Sequence, residues 1–245
     1  MSWLALLLIG FALADLAHSV RPVRILPQGI GAIGAILVGL LAGLTSVGDI
    51  VALMLIAAAV LAWGQTVTSG FAGRIPAWVP LLVFGASLVL AVLLAGLASP
   101  AGGSLGEWLE STPVPLLSDL SADRALLLAA AFGIQLSTGN VLVRLVLAAT
   151  GTVNPLRHGL VDDPETQLKG GRLLGPMERL FILALGLGGH VTAASIVVAA
   201  KGLLRFPELS SRRDQERIHL LTEYFLVGSF ASWLVALGSL VLLHA

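Results

Sequence analysis

Asp15 and His18 stand three residues apart near the end of an apolar N-terminal stretch. That spacing puts both on one helical face, where a carboxylate and an imidazole can pair, relay a proton or offer two ligands to a metal. Two ligands alone define no metal site, and Arg21 and Arg24 close by equally suit an interfacial charge cluster. Arg144 lies near Gln135, Ser137, Thr138 and Asn140 and is short of a loop by only a few residues, so its long stem can also snorkel to the interface. Glu178 and Arg179 open a further apolar run; a carboxylate in a first turn suits the helix dipole. His190 sits mid-segment beside Gly189 and near Thr192, where a single histidine is ordinarily a hydrogen-bonded core residue. Lys201 and Arg205 share a face that fits a lipid phosphate or the membrane surface. Glu223, next to Tyr224, has the sign to pair with Arg144, Arg179 or Lys201. Ionisable groups in lipid are expensive and need a partner or a role. Asp15, His18, Arg144, Glu178, Arg179, His190, Lys201 and Glu223 are therefore the binding or ion-pair candidates.

None of these residues belongs to a recognisable catalytic motif. A nucleophile elbow, a phosphate-binding loop and a zinc-protease helix are all missing from the sequence. Lys169-Gly170-Gly171-Arg172 is a fragment of a glycine-rich loop without the following Ser or Thr, and Asp162, Asp163 and Glu165 read as a solvated loop. The absence of cysteine excludes disulfides and thiolate chemistry. The sequence calls for no cofactor or metal, and a non-enzyme fits it better than an enzyme.

The residues that must position these groups are overwhelmingly apolar. Hydrophobic residues make up 57% of the 245, charged residues 11%, and the mean hydropathy is +0.96. A soluble domain carries roughly a quarter charged residues; this chain could not cover itself in water. Net charge is zero and no polybasic tail is present, which argues against nucleic acid as a partner. The expected solvent is the lipid bilayer, and the expected fold is all-α: a polytopic transmembrane helical bundle forming a single domain over residues 1–245.

About 20 apolar residues cross a hydrocarbon core of about 30 Å, and the length accommodates six or seven such segments. The first runs from about Trp3 to Val20; no basic residue precedes its apolar core, so it reads as a span and not a signal peptide. The others cover about Gly29–Leu44, Ile50–Gln65, Ala77–Leu97, Arg124–Ala149 (broken across Gln135–Asn140), Leu180–Leu204 and Ile218–Leu243. Ser99 to Asp123 and Gly151 to Gly175 read as polar loops. Gly31, Ala35, Gly39 and Gly43 recur at four-residue spacing and share one face. Such a face either packs tightly within the chain or forms a seam to a second copy or a membrane partner.

Loop cations favour the cytoplasmic side. Seven full spans would divide the loop Lys and Arg equally between the two sides. If Leu180–Leu204 instead enters and leaves on one side, every loop cation but Arg124 gathers on one face. Gly186, Gly188 and Gly189 stand where that re-entrant hairpin would turn, with arms of about ten residues, or about 15 Å. The alternative is one long tilted helix from Pro176 to Arg205.

Gly171-Arg172-Leu173-Leu174-Gly175 with Glu178-Arg179, then Ala199-Ala200-Lys201 with Arg205-Phe206, then Glu223 to Ser229, follow one another in order. From Lys169 to Ser232 the chain resembles a family of uncharacterised bacterial polytopic membrane proteins. The resemblance implies a multi-pass protein of the bacterial inner membrane and brings no activity with it. It also implies one continuous helix where the glycine cluster stands.

Three functions follow as expectations. The first is a buried polar or charged pocket serving a small transporter or channel. The second is a structural or regulatory subunit whose ion pairs lock helices. The third is an intramembrane lipid-acting enzyme using Asp15 with His18, or Glu223, as acid and base.

Overall fold

The computed structural model describes residues 1–21, 23, 25–153, 171–210 and 215–244, with the side chains of 171, 172, 204–210 and 215–221 outside that description. The expectations for Arg24, Arg157, Asp162, Asp163, Glu165, Lys169, Arg172, Arg205, Glu208, Arg212, Arg213 and Arg217 fall outside it in whole or in part. The described chain is all-helical: α1 Ser2–Val20, α2 Leu26–Leu41, α3 Val47–Phe71, α4 Trp78–Leu93, α5 Gly103–Ser111, α6 Pro115–Ser118, α7 Ala122–Leu136, α8 Thr138–Ala149, α9 Gly171–Leu187, α10 Val191–Ser210 and α11 Gln215–His244. Among the described residues, α1, α3 and Thr222–His244 of α11 are long and apolar enough to cross a membrane, and α7 with α8 make a fourth if read as one broken span. The six or seven expected segments are thus met in part. The expected second and fourth spans are helices of 16 residues each, about 24 Å long at 1.5 Å per residue.

The residues form two compact units, one of Met1–Thr68 with Val79–Thr138, the other of Ser69–Trp78 with Gly139–Ala245. In the first unit α1 is the centre. It is apolar around its whole circumference and nearly every residue from Ser2 to Asp15 is buried. It ends before Pro22, with Arg21 in extended backbone, as a residue preceding proline favours. The small residues of α2 meet it: a Cβ at Gly31 would run into the Gly10 carbonyl and Ala14, and Ala35 lies against Gly10. Gly39 gives the same close approach to Leu53 and Leu6. The Gly31, Ala35, Gly39 face is therefore occupied inside the chain, while Gly43 does a different job at the helix end. Gly43 has φ +76°; the Leu44 N–H donates to the Gly39 carbonyl and the Gly43 N–H to Leu40. This is a Schellman stop, with Leu44 fully buried behind it. Leaving no room for a Cβ, the Gly43 backbone also abuts Gly103 at the head of α5.

Asp49 fastens the far end of the same unit. Ser46 caps α3, accepting from the Asp49 N–H at 3.1 Å and donating to the Asp49 carboxylate at 2.6 Å. The other carboxylate oxygen accepts from the Trp3 indole at 2.8 Å and from the Ser99 N–H at 3.4 Å. Asp49 is 1% exposed and so joins α1, α3 and the stretch after α4.

In the second unit α9 packs on α10 and on α11. The expected single helix from Pro176 to Arg205 is not formed. Gly189 takes φ +76°, the His190 N–H donates to the Leu185 carbonyl at 2.8 Å, and the Gly189 N–H donates to Gly186 at 3.1 Å. This second Schellman stop turns the chain into a helical hairpin. Its arms are 17 and 20 residues long, longer than the ten expected for a short re-entrant pair, because the helices begin at Gly171 and run on to Ser210.

Large apolar side chains stand outward while several polar and charged ones are buried. Val47, Val241 and Leu203 are 84%, 67% and 75% exposed, whereas Asp15, Gln28, Asp49, Gln135, Glu178 and Arg179 are all buried.

Candidate functional site

Glu178 and Arg179, neighbours in α9, reach different helices. Arg179 is 1% exposed. Its guanidinium donates to Asn140 Oδ1 on α8 at 2.8 Å and to Ser232 Oγ on α11 at 3.1 Å. Gly139 makes the α8 contact possible, because a Cβ there would stand 2.6 Å from Arg179 Nε. On α11 the residues Ser229, Ser232, Ala236 and Ser239 are all buried. Their spacing of three and four residues draws one small, partly polar stripe along the helix.

Glu178 forms an ion pair with Lys201 of α10, with side chains 8% and 14% exposed. In a continuous helix residues 178 and 201 would lie about 34 Å apart; the pair exists because the chain reverses at Gly189. The Lys201 ammonium also stands over the Phe225 ring of α11, 6.0 Å from its centroid, within reach of a cation–π attraction. The Glu178 carboxylate acts electrostatically on Arg179 as well. Three ionisable groups from two helices thus meet beside the serine stripe of a third.

The remaining candidates stand elsewhere. Arg144 lies over the Phe71 ring at 4.8 Å. Glu223 is exposed and accepts from the Thr152 hydroxyl at 3.1 Å; among the described residues this is its hydrogen bond, in place of the expected Arg144, Arg179 or Lys201. His190 is at the exposed hairpin turn, not in a core, since the helix stops before it. Of the eight candidates, Glu178 and Lys201 are paired, with Arg179 next to Glu178 in the chain.

In the first unit Asp15 and His18 part company. His18 is exposed near the end of α1, while Asp15 is buried and accepts from the Trp63 indole at 3.1 and 3.2 Å. The Trp63 ring packs with those of Phe11 and Phe84, the three centroids 5.4–5.5 Å apart. Sequence reading missed Trp63, Ser232, Thr152 and Phe225 as partners. Only Ser232 left a sequence signal, through its spacing with Ser229 and Ser239. Among the described residues no three His, Asp or Glu side chains could hold a metal ion together.

No protein-family model, no curated protein and no solved structure matches the chain.

Proposed function

We propose that the chain is a multi-pass protein of the bacterial cell membrane that binds and passes a small polar solute, with Glu178, Arg179 and Lys201 as its polar centre. The observation that carries this reading is a guanidinium buried to 1% exposure beside a buried ion pair, in a chain whose outward residues are large and apolar. Charges in lipid are retained where they contact a solute path or one another. The polar centre lies where three helices meet, a usual position for binding sites between bundle helices.

The test is charge movement or tracer uptake in proteoliposomes of the full chain, with chloride, inorganic phosphate, acetate and neutral amino acids as probes. Arg179→Gln, checked for folding by tryptophan fluorescence, lowers flux of the transported probe at least tenfold on this reading. A folded Arg179→Gln with unchanged flux, or a wild type that moves none of the probes, contradicts it.

A second reading is a subunit of a larger membrane assembly, favoured by the closure of the Glu178–Lys201 pair within the chain. Native mass spectrometry after mild extraction separates the two: a stoichiometric partner supports the subunit, a solitary chain with flux supports the transporter.

A further inference from the structure

Asp15 is 7% exposed and Trp63 fully buried. Both carboxyl oxygens of Asp15 accept from the Trp63 indole N–H, and the Trp63 ring packs against those of Phe11 and Phe84. One neutral N–H does not offset a buried negative charge; an ionised carboxylate in an apolar interior needs a positive partner. Among the described residues α1 to α4 and α7 supply none, and the cations beyond the break, Arg144 and Arg179, are engaged with Phe71 and with Asn140 and Ser232. Helices α2 and α4 contain no ionisable residue. Those of α3 and α7 are confined to their first turns, at Asp49, Asp123 and Arg124. His18 on α1 and Arg21 just after it are exposed. The side chains that act on the Asp15 carboxyl, Trp63 and Thr138, are both neutral.

The same place holds a break in a helix. Helix α7 ends at Leu136, Ser137 has φ −132° and ψ −49°, and α8 starts at Thr138. The hydroxyls of Ser137 and Thr138 are buried, and neither closes a regular hydrogen bond among the described residues. Thr138 is fully buried, and its side chain acts on the Asp15 carboxyl. Interrupted membrane helices release main-chain carbonyls, and such breaks are where transporters coordinate Na⁺ or H⁺. Carboxylate, hydroxyl and carbonyl oxygens suit a hard cation.

We infer that the buried Asp15 carboxyl beside Thr138, at the break between α7 and α8, is a monovalent-cation site taken by a proton or a sodium ion. With a proton, Asp15 carries an O–H and is neutral. When sodium enters, that proton leaves to solvent and one positive charge replaces another. The inference deepens the transport reading, on which it rests for the use of the ion, by naming what would drive the flux.

Infrared difference spectroscopy on full-length protein in proteoliposomes tests it, comparing wild type with Asp15→Asn. The wild type shows a carboxylic-acid C=O band that Asp15→Asn lacks. The band disappears as pH rises if the occupant is a proton alone. If sodium also binds, NaCl removes it at fixed pH while choline chloride does not. Thr138→Val keeps the carboxyl in place and serves where Asp15→Asn fails to fold; it displaces the midpoint of whichever titration is seen. A carboxyl that is ionised, or neutral, under every condition overturns the inference, as does a midpoint unmoved by Thr138→Val. The readout requires no flux, so a failure here leaves the Arg179 flux test standing, and the reverse holds equally.

Discussion

The Glu178–Lys201 pair shows how a single contact here carries structural information. Both side chains are mostly buried, so their attraction is poorly screened by salt, yet each charge has left water at a cost. Removing one partner alone leaves the other charge stranded. Glu178→Gln and Lys201→Met should each lower stability by about 3 kcal/mol, and the double variant by less than their sum. Thermal or denaturant unfolding in detergent, arranged as a double-mutant cycle, reads this directly; additive losses would mean the pair does not interact. Arg179→Lys is not conservative at its position, because an ammonium cannot fork to both Asn140 and Ser232. We expect a loss of about 1–2 kcal/mol from the acceptors left behind, measured in the same assay. These partners were hidden in the sequence for a physical reason: a side chain's neighbours along its own helix follow from spacing, whereas its neighbours on other helices follow from the turn that folds the helices together. Glu178, Arg179 and Lys201 were recognisable as costly residues in lipid; that Asn140, Ser232 and Phe225 receive them was not.

That turn belongs to the scale of the element. The glycines at 186, 188 and 189 and the polar break from Gln135 to Asn140 were both visible as interruptions in apolar sequence. The first yields a Schellman stop at Gly189 and the second a change of helix at Ser137. Hydropathy alone could not decide between a long helix and a hairpin, because apolar residues continue on both sides of the turn. Gly189→Ala forces an L side chain into φ +76° and should cost about 1–2 kcal/mol; unchanged unfolding of that variant would remove the left-handed stop from the account. The small face of α2 was also legible, though its partner was not. Spacing revealed that Gly31, Ala35 and Gly39 let another backbone approach, and only the fold assigned that backbone to α1. Gly31→Leu should push α1 and α2 apart, destabilising by about 3 kcal/mol or more through overpacking. A thermal midpoint within error of wild type would mean the two helices do not meet there.

For the molecule as a whole, the long apolar runs foretold an all-helical chain, and the composition an apolar exterior, since 11% charged residues cannot coat a soluble protein of this size. It did not foretell helix lengths. Span counts drawn from hydropathy merge short helices with the turns beside them, which is how the 16 residues of α4 and the Ala95–Leu97 turn became one expected segment. What unifies the chain is the placement of its costly side chains. Asp15, Asp49, Glu178 and Arg179 are buried and hydrogen-bonded or ion-paired to other helices, while Val47, Met54, Leu234 and Val241 stand outward.

Because the chain has no cysteine, single cysteines carrying nitroxide spin labels can be placed at Met54, Leu55, Leu234 and Val241 in proteoliposomes without a background. Collision rates with dissolved oxygen and with a water-soluble nickel chelate then report the surroundings of each label. Labels at these outward positions should collide with oxygen and be protected from the chelate, as acyl chains require. Free access of the chelate to all four would place these faces in water and contradict a membrane-embedded protein.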